Sequence, residues 1–456
     1  MMKIFPIVLA AGQGTRMRSA LPKVLHTISG KPMLQHVIDA CQAMGSDQLA
    51  VVYGHGGDQV CEAIPGDNIH WALQAEQKGT GHAVAQAIDL AGDDDVVLVA
   101  YGDVPLIRSS TLQQLAEGLQ NADLTVLTTR LNNPFGYGRI VRDADGEVEA
   151  IVEQKDASAA VQLIQEVNTG FIAASGADLK RWLRQVTPDN AQGEYYLTDC
   201  VGLAVAEGKR VNTVLCSDPL EVEGANNRVQ LACLEREAQR RQVEDLMLEG
   251  VGVADPARLD IRGTVKAGQD VFIDINVLLL GDVTLGNDVV IEPNCVLNNV
   301  SIGDGSHIKA NSHLEGAVIA KNCDIGPFAR IRPGTQLADG AKIGNFVETK
   351  KAVIGKGSKV NHLSYIGDTE MGTDVNIGAG TITCNYDGAN KFKTTIGDRV
   401  FVGSGTQLVA PVTVESDANI GAGSTINKHA PAGQLTLSRS KQLTIKGWKR
   451  PVKEKK

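Results

Sequence analysis

In the C-terminal half of this chain an isoleucine, valine or leucine returns every six residues. Ile302, Ile308 and Leu314 start the count, then Ile325, Ile331, Leu337 and Ile343, then Ile354, Val360 and Ile366. The register resumes at Ile377 and runs on through Ile396, Val402, Leu408, Val414, Ile420 and Ile426. Glycine often follows directly, as in Ile302-Gly303, Ile343-Gly344, Ile366-Gly367 and Ile420-Gly421. A period of six fits neither the 3.6 of an α-helix nor the 2 of an amphipathic strand. It is the mark of a hexapeptide β-helix, in which stacked short strands each bury one aliphatic side chain. That commits half of the molecule to one architecture.

A length of 456 residues leaves room for two or three domains. Low aromatic content (4%) beside 49 glycines fits repeats that close without a bulky aromatic core. A net charge of -9 argues against a nucleic-acid partner, although anionic substrates can still meet local basic sites. The eight cysteines, at 41, 61, 200, 216, 233, 295, 323 and 384, have no metal-ligand spacing and read as reduced, buried thiols. The apolar stretch that opens the chain is too short to span a bilayer, so the expectation is a cytoplasmic protein without a membrane partner.

Residues 1–226 alternate strand-like and helix-like segments, with strand candidates at 4–10, 48–53, 96–101 and 124–129. Such alternation predicts βαβ units and a largely parallel sheet covered on both faces. Residues 227–250 read as one polar helix, with Leu231, Leu234 and Ala238 at helical spacing and Gly250 as its stop. This is a connector between a domain at 1–226 and a second at 251–456. The tail from Lys441 carries seven basic residues, one acidic residue and Trp448. It reads as a solvated tail or as a contact for phosphate or a partner.

The first strand runs into Leu9-Ala10-Ala11-Gly12-Gln13-Gly14-Thr15-Arg16-Met17. A glycine turn at the C-terminal end of a parallel strand lets backbone N–H groups approach a phosphate. No Gly-Lys-Ser/Thr follows, so it is not a Walker A loop, and the third glycine of the dinucleotide fingerprint is missing. Arg16 and Lys23 add cations suited to the charge that develops in phosphoryl transfer.

Here the chain resembles the sugar-nucleotide pyrophosphorylases, whose signature is this loop followed by a proline-lysine pair, present as Pro22-Lys23. The likeness continues at Gln74 to Gly81, Tyr101-Gly102-Asp103, Gly136 to Arg139, Glu153, Asn168-Thr169-Gly170 and Glu221 to Asn226. It implies a Rossmann-like nucleotidyltransferase fold with Leu9, Ala10, Ala11, Gly12, Lys23, Tyr101 and Gly102 in a UTP and sugar-nucleotide site. By the same resemblance Gln74 and Gly79 read the uracil edge, and Gly138, Glu153, Asn168 and Thr80 hold an N-acetylhexosamine. Asp103 and Asn226 hold Mg²⁺, and Lys23 and Arg16 serve the transfer. A sugar-1-phosphate oxygen then attacks the α-phosphorus of UTP and pyrophosphate leaves, with no protein nucleophile.

A hexapeptide prism can be pure scaffold. Two interruptions, 346–351 and 361–365, argue otherwise, since they put Glu348, Lys350, His362 and Tyr365 in adjacent repeats. A histidine one coil from a glutamate and a lysine is a candidate general base. A polar insertion at 383–395 breaks the register as well, and solenoid insertions often build binding sites. These features resemble the hexapeptide acyltransferases. That likeness implies a left-handed parallel β-helix, an exception to the right-handed crossover rule, and a homotrimer with acetyl sites between subunits. It places glucosamine-1-phosphate on Arg332, Lys350, Tyr365 and Asn376. Acetyl-CoA falls on Ala379, Asn385, Tyr386, Ser404, Ala422 and Arg439, and His362 is the base with Glu348 to orient it.

Together the resemblances cover nearly the whole chain. They imply acetyl transfer to glucosamine-1-phosphate, then uridylyl transfer to N-acetylglucosamine-1-phosphate. The competing reading is a single-activity sugar-1-phosphate nucleotidyltransferase whose β-helix regulates or oligomerises; a non-catalytic sugar-nucleotide sensor fits less well with a paired Asp103 and Asn226.

Overall fold

The computed structural model describes residues 3–54 and 57–453. The chain divides into two compact units, Met1–Ala238 and Gln239–Lys456.

The first unit is built on a sheet whose spine runs Val211–Cys216, Leu124–Arg130, Glu166–Ser175, Val96–Tyr101, Ile4–Leu9, Leu49–Tyr53 and Ile69–Leu73. Ile4–Leu9 lies parallel between Leu49–Tyr53 and Val96–Tyr101. Successive side chains of a strand point to opposite faces. Accordingly Ile7, Leu9, Val97 and Val99 enter one buried cluster, while Val8, Leu98 and Ala100 enter another. A sheet buried on both sides explains why these strands read as unbroken apolar runs rather than as alternation.

The sheet is less uniformly parallel than the sequence predicts. Glu166–Ser175 runs antiparallel to both of its neighbours, and Arg139–Arg142 with Val148–Val152 forms an antiparallel pair attached to it. A register shift between Asn168 and Ile172 kinks that strand. At the kink Gly170 has φ 93°, and a Cβ there would lie 2.5 Å from the Tyr101 ring. Only glycine fits both demands.

The polar helix is observed as Arg228–Leu248. Asn227 Oδ1 accepts from the backbone N–H of Val229 and Gln230, satisfying two donors that a helix start leaves open. Gly250 has φ 104° just past the end. The division between units falls within this helix. Leu234 and Ala238 pack with Ile28, Met33, Leu106 and Ala225, whereas Val243 and Leu246 belong to the core of the second unit.

The second unit is a left-handed parallel β-helix. All of the hexad residues named above are at most 4% exposed. One coil is 17 or 18 residues, as in the stacking of Ile325 on Ile343 (18 apart) and of Ile343 on Val360 (17 apart). Ile377 stacks on Val402, 25 residues on, because the polar insertion lies between them. Within the insertion, Tyr386 bridges to Lys391. All eight cysteines are free; five are buried, Cys61 and Cys384 are half-buried, and Cys233 is exposed, a departure from the fully buried set predicted.

Candidate active sites

The glycine loop and the two strands beside it enclose a cavity of about 310 Å³ in the first unit. Leu9, Ala10, Ala11, Gly12, Lys23, Gln74, Gly79, Thr80, Tyr101 and Asp103, ten of the residues singled out by sequence, line it. Gly14 has φ 59°, and a Cβ on it would lie 2.5 Å from Lys23 Cβ, so glycine lets the lysine pack under the loop. Lys23 is 9% exposed. Its ammonium contacts Asp103 Oδ2 and lies 2.7 Å from Asn226 Oδ1, while the Arg16 guanidinium donates to the same oxygen at 2.9 Å. The backbone clamps this arrangement, because Gly102 N–H donates to Leu9 O and Ala225 N–H to Asp103 O.

Two hard oxygen donors, Asp103 Oδ2 and Asn226 Oδ1, thus converge on one cationic position now held by Lys23. Mg²⁺ bound through few protein oxygens, with water and substrate phosphate completing its shell, fits such a donor pair. Among the described residues there is no cluster of three or more His, Cys, Asp or Glu able to hold a metal alone.

The sugar-side residues meet at the kinked strand. Asn168 N–H donates to Gly138 O, and Asn168 Oδ1 accepts from Gly170 N–H. A Cβ on Gly138 would come within 3.2 Å of Glu153 Oε1, which accepts from Thr198 Oγ1 at 3.2 Å. Burial holds the Glu153 carboxyl above its ordinary range, with Asp156 and Asp199 adding to the effect against the Thr198 hydrogen bond. Burial, with Glu153 and Asp103 behind it, raises the Tyr101 phenol too, so it stays protonated.

Sequence reasoning missed Gln77 and Glu194, which also line the cavity. Gln77 donates to Ala11 O and so ties the loop. It stood inside the motif 74–81 without a role. Glu194 carried no sequence signal. The chain around it is drawn in by backbone bonds from Tyr195 N–H to Lys78 O and from Gly81 N–H to Tyr195 O.

In the second unit the stacked coils bring Glu348 beside Tyr365 and Asn345 beside His362. Here one expectation is corrected. His362 Nδ1 pairs with Asn345 Oδ1 at 3.0 Å, while Glu348 accepts from Arg332 at 2.6 Å. Asn345, not Glu348, is thus the hydrogen-bond partner of the histidine, and Glu348 is the partner of Arg332. Asn385 Nδ2 reaches Tyr365 Oη at 3.4 Å and also Asp368. The Lys391 ammonium, more than Arg332, holds Lys350 below its ordinary value. Tyr386 is exposed, with its hydroxyl on Gly388 O. Asn376 lies between Lys359 and Phe401 in the sheet that also carries Asn345 and His362, not in the one that carries Glu348 and Tyr365.

From His362 a lane of small residues climbs the prism. Gly380 N–H donates to His362 O, Gly405 N–H to Ala379 O, and Gly423 N–H to Ser404 O. A Cβ on Gly403 would meet Ala422, and one on Gly421 would come 3.5 Å from the Arg439 guanidinium. Ala379, Ser404, Ala422 and Arg439 thus stand on successive levels of one edge.

Fold and sites define a nucleotidyltransferase unit joined to a hexapeptide transferase unit. Residues 6–167 match the MobA-like NTP transferase domain, 261–354 the GMPPB C-terminal domain, and 393–428 the bacterial transferase hexapeptide (six repeats). The chain is 57% identical over 447 residues to the "Bifunctional protein GlmU" of Marinobacter nauticus, covering 98% of each chain; it belongs to the GlmU family. The crystal structure of UDP-glucose pyrophosphorylase complexed with UDP-glucose is also similar, at 18% identity and a TM-score of 0.44, covering 53% of this chain and 100% of that one. No helix among the described residues is long and apolar enough to cross a membrane.

Proposed function

We propose that the chain makes UDP-N-acetylglucosamine in two steps, one in each unit, and so supplies precursors of peptidoglycan and lipopolysaccharide. The carrying observation is its likeness, over 98% of its length, to a relative named as bifunctional. The functional boundaries proposed are 1–226 for uridylyl transfer, 227–250 for a linker and 251–456 for acetyl transfer. A homotrimer working in the cytoplasm is part of this reading; eight free thiols accord with a reducing compartment.

Acetylation comes first. Asn345 Oδ1 accepts from His362 Nδ1–H, which leaves the Nε2 lone pair for the amine of glucosamine-1-phosphate. His362 takes the amine proton as nitrogen attacks the thioester carbonyl; the C–S bond then breaks and the coenzyme leaves as a thiol. Arg332, braced by Glu348, and Lys350 face the sugar phosphate, with Tyr365 and Asn376 assigned to the same substrate. Lys350 and Lys391 repel one another, and a bound phosphate dianion relieves that repulsion. The lane from Ala379 through Ser404 and Ala422 takes acetyl-CoA, with Arg439 towards its phosphates and Asn385 and Tyr386 near the reacting end.

In the first unit Gln74 and Gly79 hold uracil, and Glu153, Asn168 and Gly138 hold the N-acetyl sugar. Its phosphate oxygen attacks the α-phosphorus of UTP in line. Lys23 and Arg16 face the charge that builds up there. Asp103 and Asn226 would hold Mg²⁺, whose positive charge would offset part of the charge on the phosphates.

The test is one mass-spectrometric time course with glucosamine-1-phosphate, acetyl-CoA, UTP and Mg²⁺. N-acetylglucosamine-1-phosphate should rise and fall before UDP-N-acetylglucosamine accumulates. If UTP and acetyl-CoA both survive with folded protein, the reading fails; consumption of UTP alone would leave a single-activity enzyme with a scaffold prism.

A further inference from the structure

Two contacts fix which end of the Gln74 amide is left to the nucleotide cavity. Gln74 follows the strand Ile69–Leu73 and is 4% exposed. Its Nε2 donates to Gly79 O at 3.2 Å and lies 3.0 Å from His82 Nδ1. A backbone carbonyl can only accept, so the Gly79 contact assigns nitrogen to that end of the amide whatever the histidine tautomer. Towards that nitrogen His82 Nδ1 can serve only as an acceptor. The Gln86 amide nitrogen donates to His82 O at 3.0 Å and lies 3.3 Å from His82 Nε2, so the two glutamines compete for the one ring acceptor; exposed Gln86 can move off the ring to water, whereas buried Gln74 cannot.

Gln74 Oε1 has no hydrogen-bond partner among the described residues, yet it is not among the sealed, unpartnered atoms, and Gln74 lines the cavity. The pair of contacts therefore leaves an acceptor, and only an acceptor, to a ligand. Turning the amide over would set Oε1 against Gly79 O, acceptor facing acceptor, and would require the imidazole proton to move to Nδ1.

We propose that His82, which need not touch the nucleotide, is a positioning residue for base selection. Together with the Gly79 carbonyl it locks Gln74 so that the site takes a pyrimidine whose N3 carries a proton, uracil. It turns away one whose N3 carries a lone pair, cytosine. This rests on the reading that Gln74 faces the base. A site that pairs a buried polar group with its ligand rejects the analogue that leaves the group unpaired far better than an apolar wall does.

The experiment uses the full-length enzyme with N-acetylglucosamine-1-phosphate and measures KM and kcat for UTP. CTP is read as a competitive inhibitor, so that no turnover of CTP is required. His82→Leu should raise KM for UTP more than it lowers kcat, since Lys23 is untouched. It should also narrow the preference for UTP over CTP by roughly tenfold, about the value of one hydrogen bond. His82→Asn, whose Oδ1 can stand in for Nδ1, should restore most of the preference; a merely structural loss would not be rescued in this selective way. If His82→Leu does not fold, His82→Phe keeps a ring and removes the acceptor. Gln74→Leu separates the two claims. If it changes the preference and the His82 variants do not, the lock is overturned. If Gln74→Leu also leaves the preference unchanged, Gln74 does not read the base.

Discussion

Glu153 carries its carboxyl where the surroundings resist ionisation. Burial is the main cause of its raised pKa, and the group follows the linkage of a carboxyl bound more tightly to its proton in the folded state than in the unfolded one. Its contribution to stability is intact below the unfolded value and is lost as pH rises through the folded value. Replacing it with a neutral isostere removes that loss. Glu153→Gln should therefore raise the melting temperature at pH 7, with the gain shrinking to nothing as pH falls below the ordinary glutamate range. The same variant should raise KM for N-acetylglucosamine-1-phosphate, the usual conflict between stability and a functional charge. A melting temperature that does not move with pH relative to wild type would show that burial is not what raises this carboxyl. Lys23 is the converse case, a buried cation already paired with oxygen donors. Lys23→Ala should lower uridylyl turnover by ~10²–10³-fold and leave acetyl transfer at its normal rate. Near-normal uridylyl transfer by the folded variant would remove Lys23 from the mechanism.

At the level of elements, the six-residue period was legible because the physical repeat and the sequence repeat are the same object: one aliphatic residue per short strand. Ile302→Ala, at 1% exposure in that column, should cost about 2–5 kcal/mol, read as a lower denaturation midpoint of the prism while uridylyl transfer persists. The central strands of the first unit were legible as well, being long apolar runs. Arg139–Arg142 and Val148–Val152 were not, since strands of four and five residues that mix buried, half-buried and exposed side chains leave little pattern. The partner of His362 was hidden for a different reason. Residues face one another across coils at a separation of 17 or 18, and here it is 17, so Asn345 lies opposite His362 while Glu348, only 14 residues back, lies opposite Tyr365. Adjacent repeats could be read from sequence; their phase could not. Glu194 was hidden because the loop that carries it meets residues 78–81 through its own backbone, by Tyr195 to Lys78 and Gly81 and by Leu197 N–H to the Thr80 hydroxyl. The phase carries a consequence for kinetics. Asn345→Ala should lower kcat for acetyl transfer and shift its pH profile, because it frees the His362 tautomer. Glu348→Ala should act mainly on KM for glucosamine-1-phosphate, through the unbraced Arg332. The reverse split would return Glu348 to the orienting role.

Among the described residues, one core cluster belongs to Gln239–Lys456 and three belong to Met1–Ala238. Each unit also carries the polar residues assigned to its own reaction, so each half-reaction should fail separately. His362→Ala should lose acetyl transfer by ~10²–10⁴-fold with uridylyl transfer unchanged, the mirror image of Lys23→Ala. The product of the first reaction, a free sugar phosphate, is the substrate of the second, and it can reach the second site through solvent. Neither variant alone should turn glucosamine-1-phosphate into UDP-N-acetylglucosamine at an appreciable rate. An equimolar mixture should do so after a lag, the time needed for N-acetylglucosamine-1-phosphate to build up to the KM of the uridylyl site. Adding that intermediate at the start should abolish the lag. A mixture that releases no N-acetylglucosamine-1-phosphate and makes no nucleotide sugar, while still converting intermediate added at the start, would mean that the product of the prism is not released to solvent. A mixture with no lag at all would mean that assembled copies share intermediate faster than it escapes to solvent.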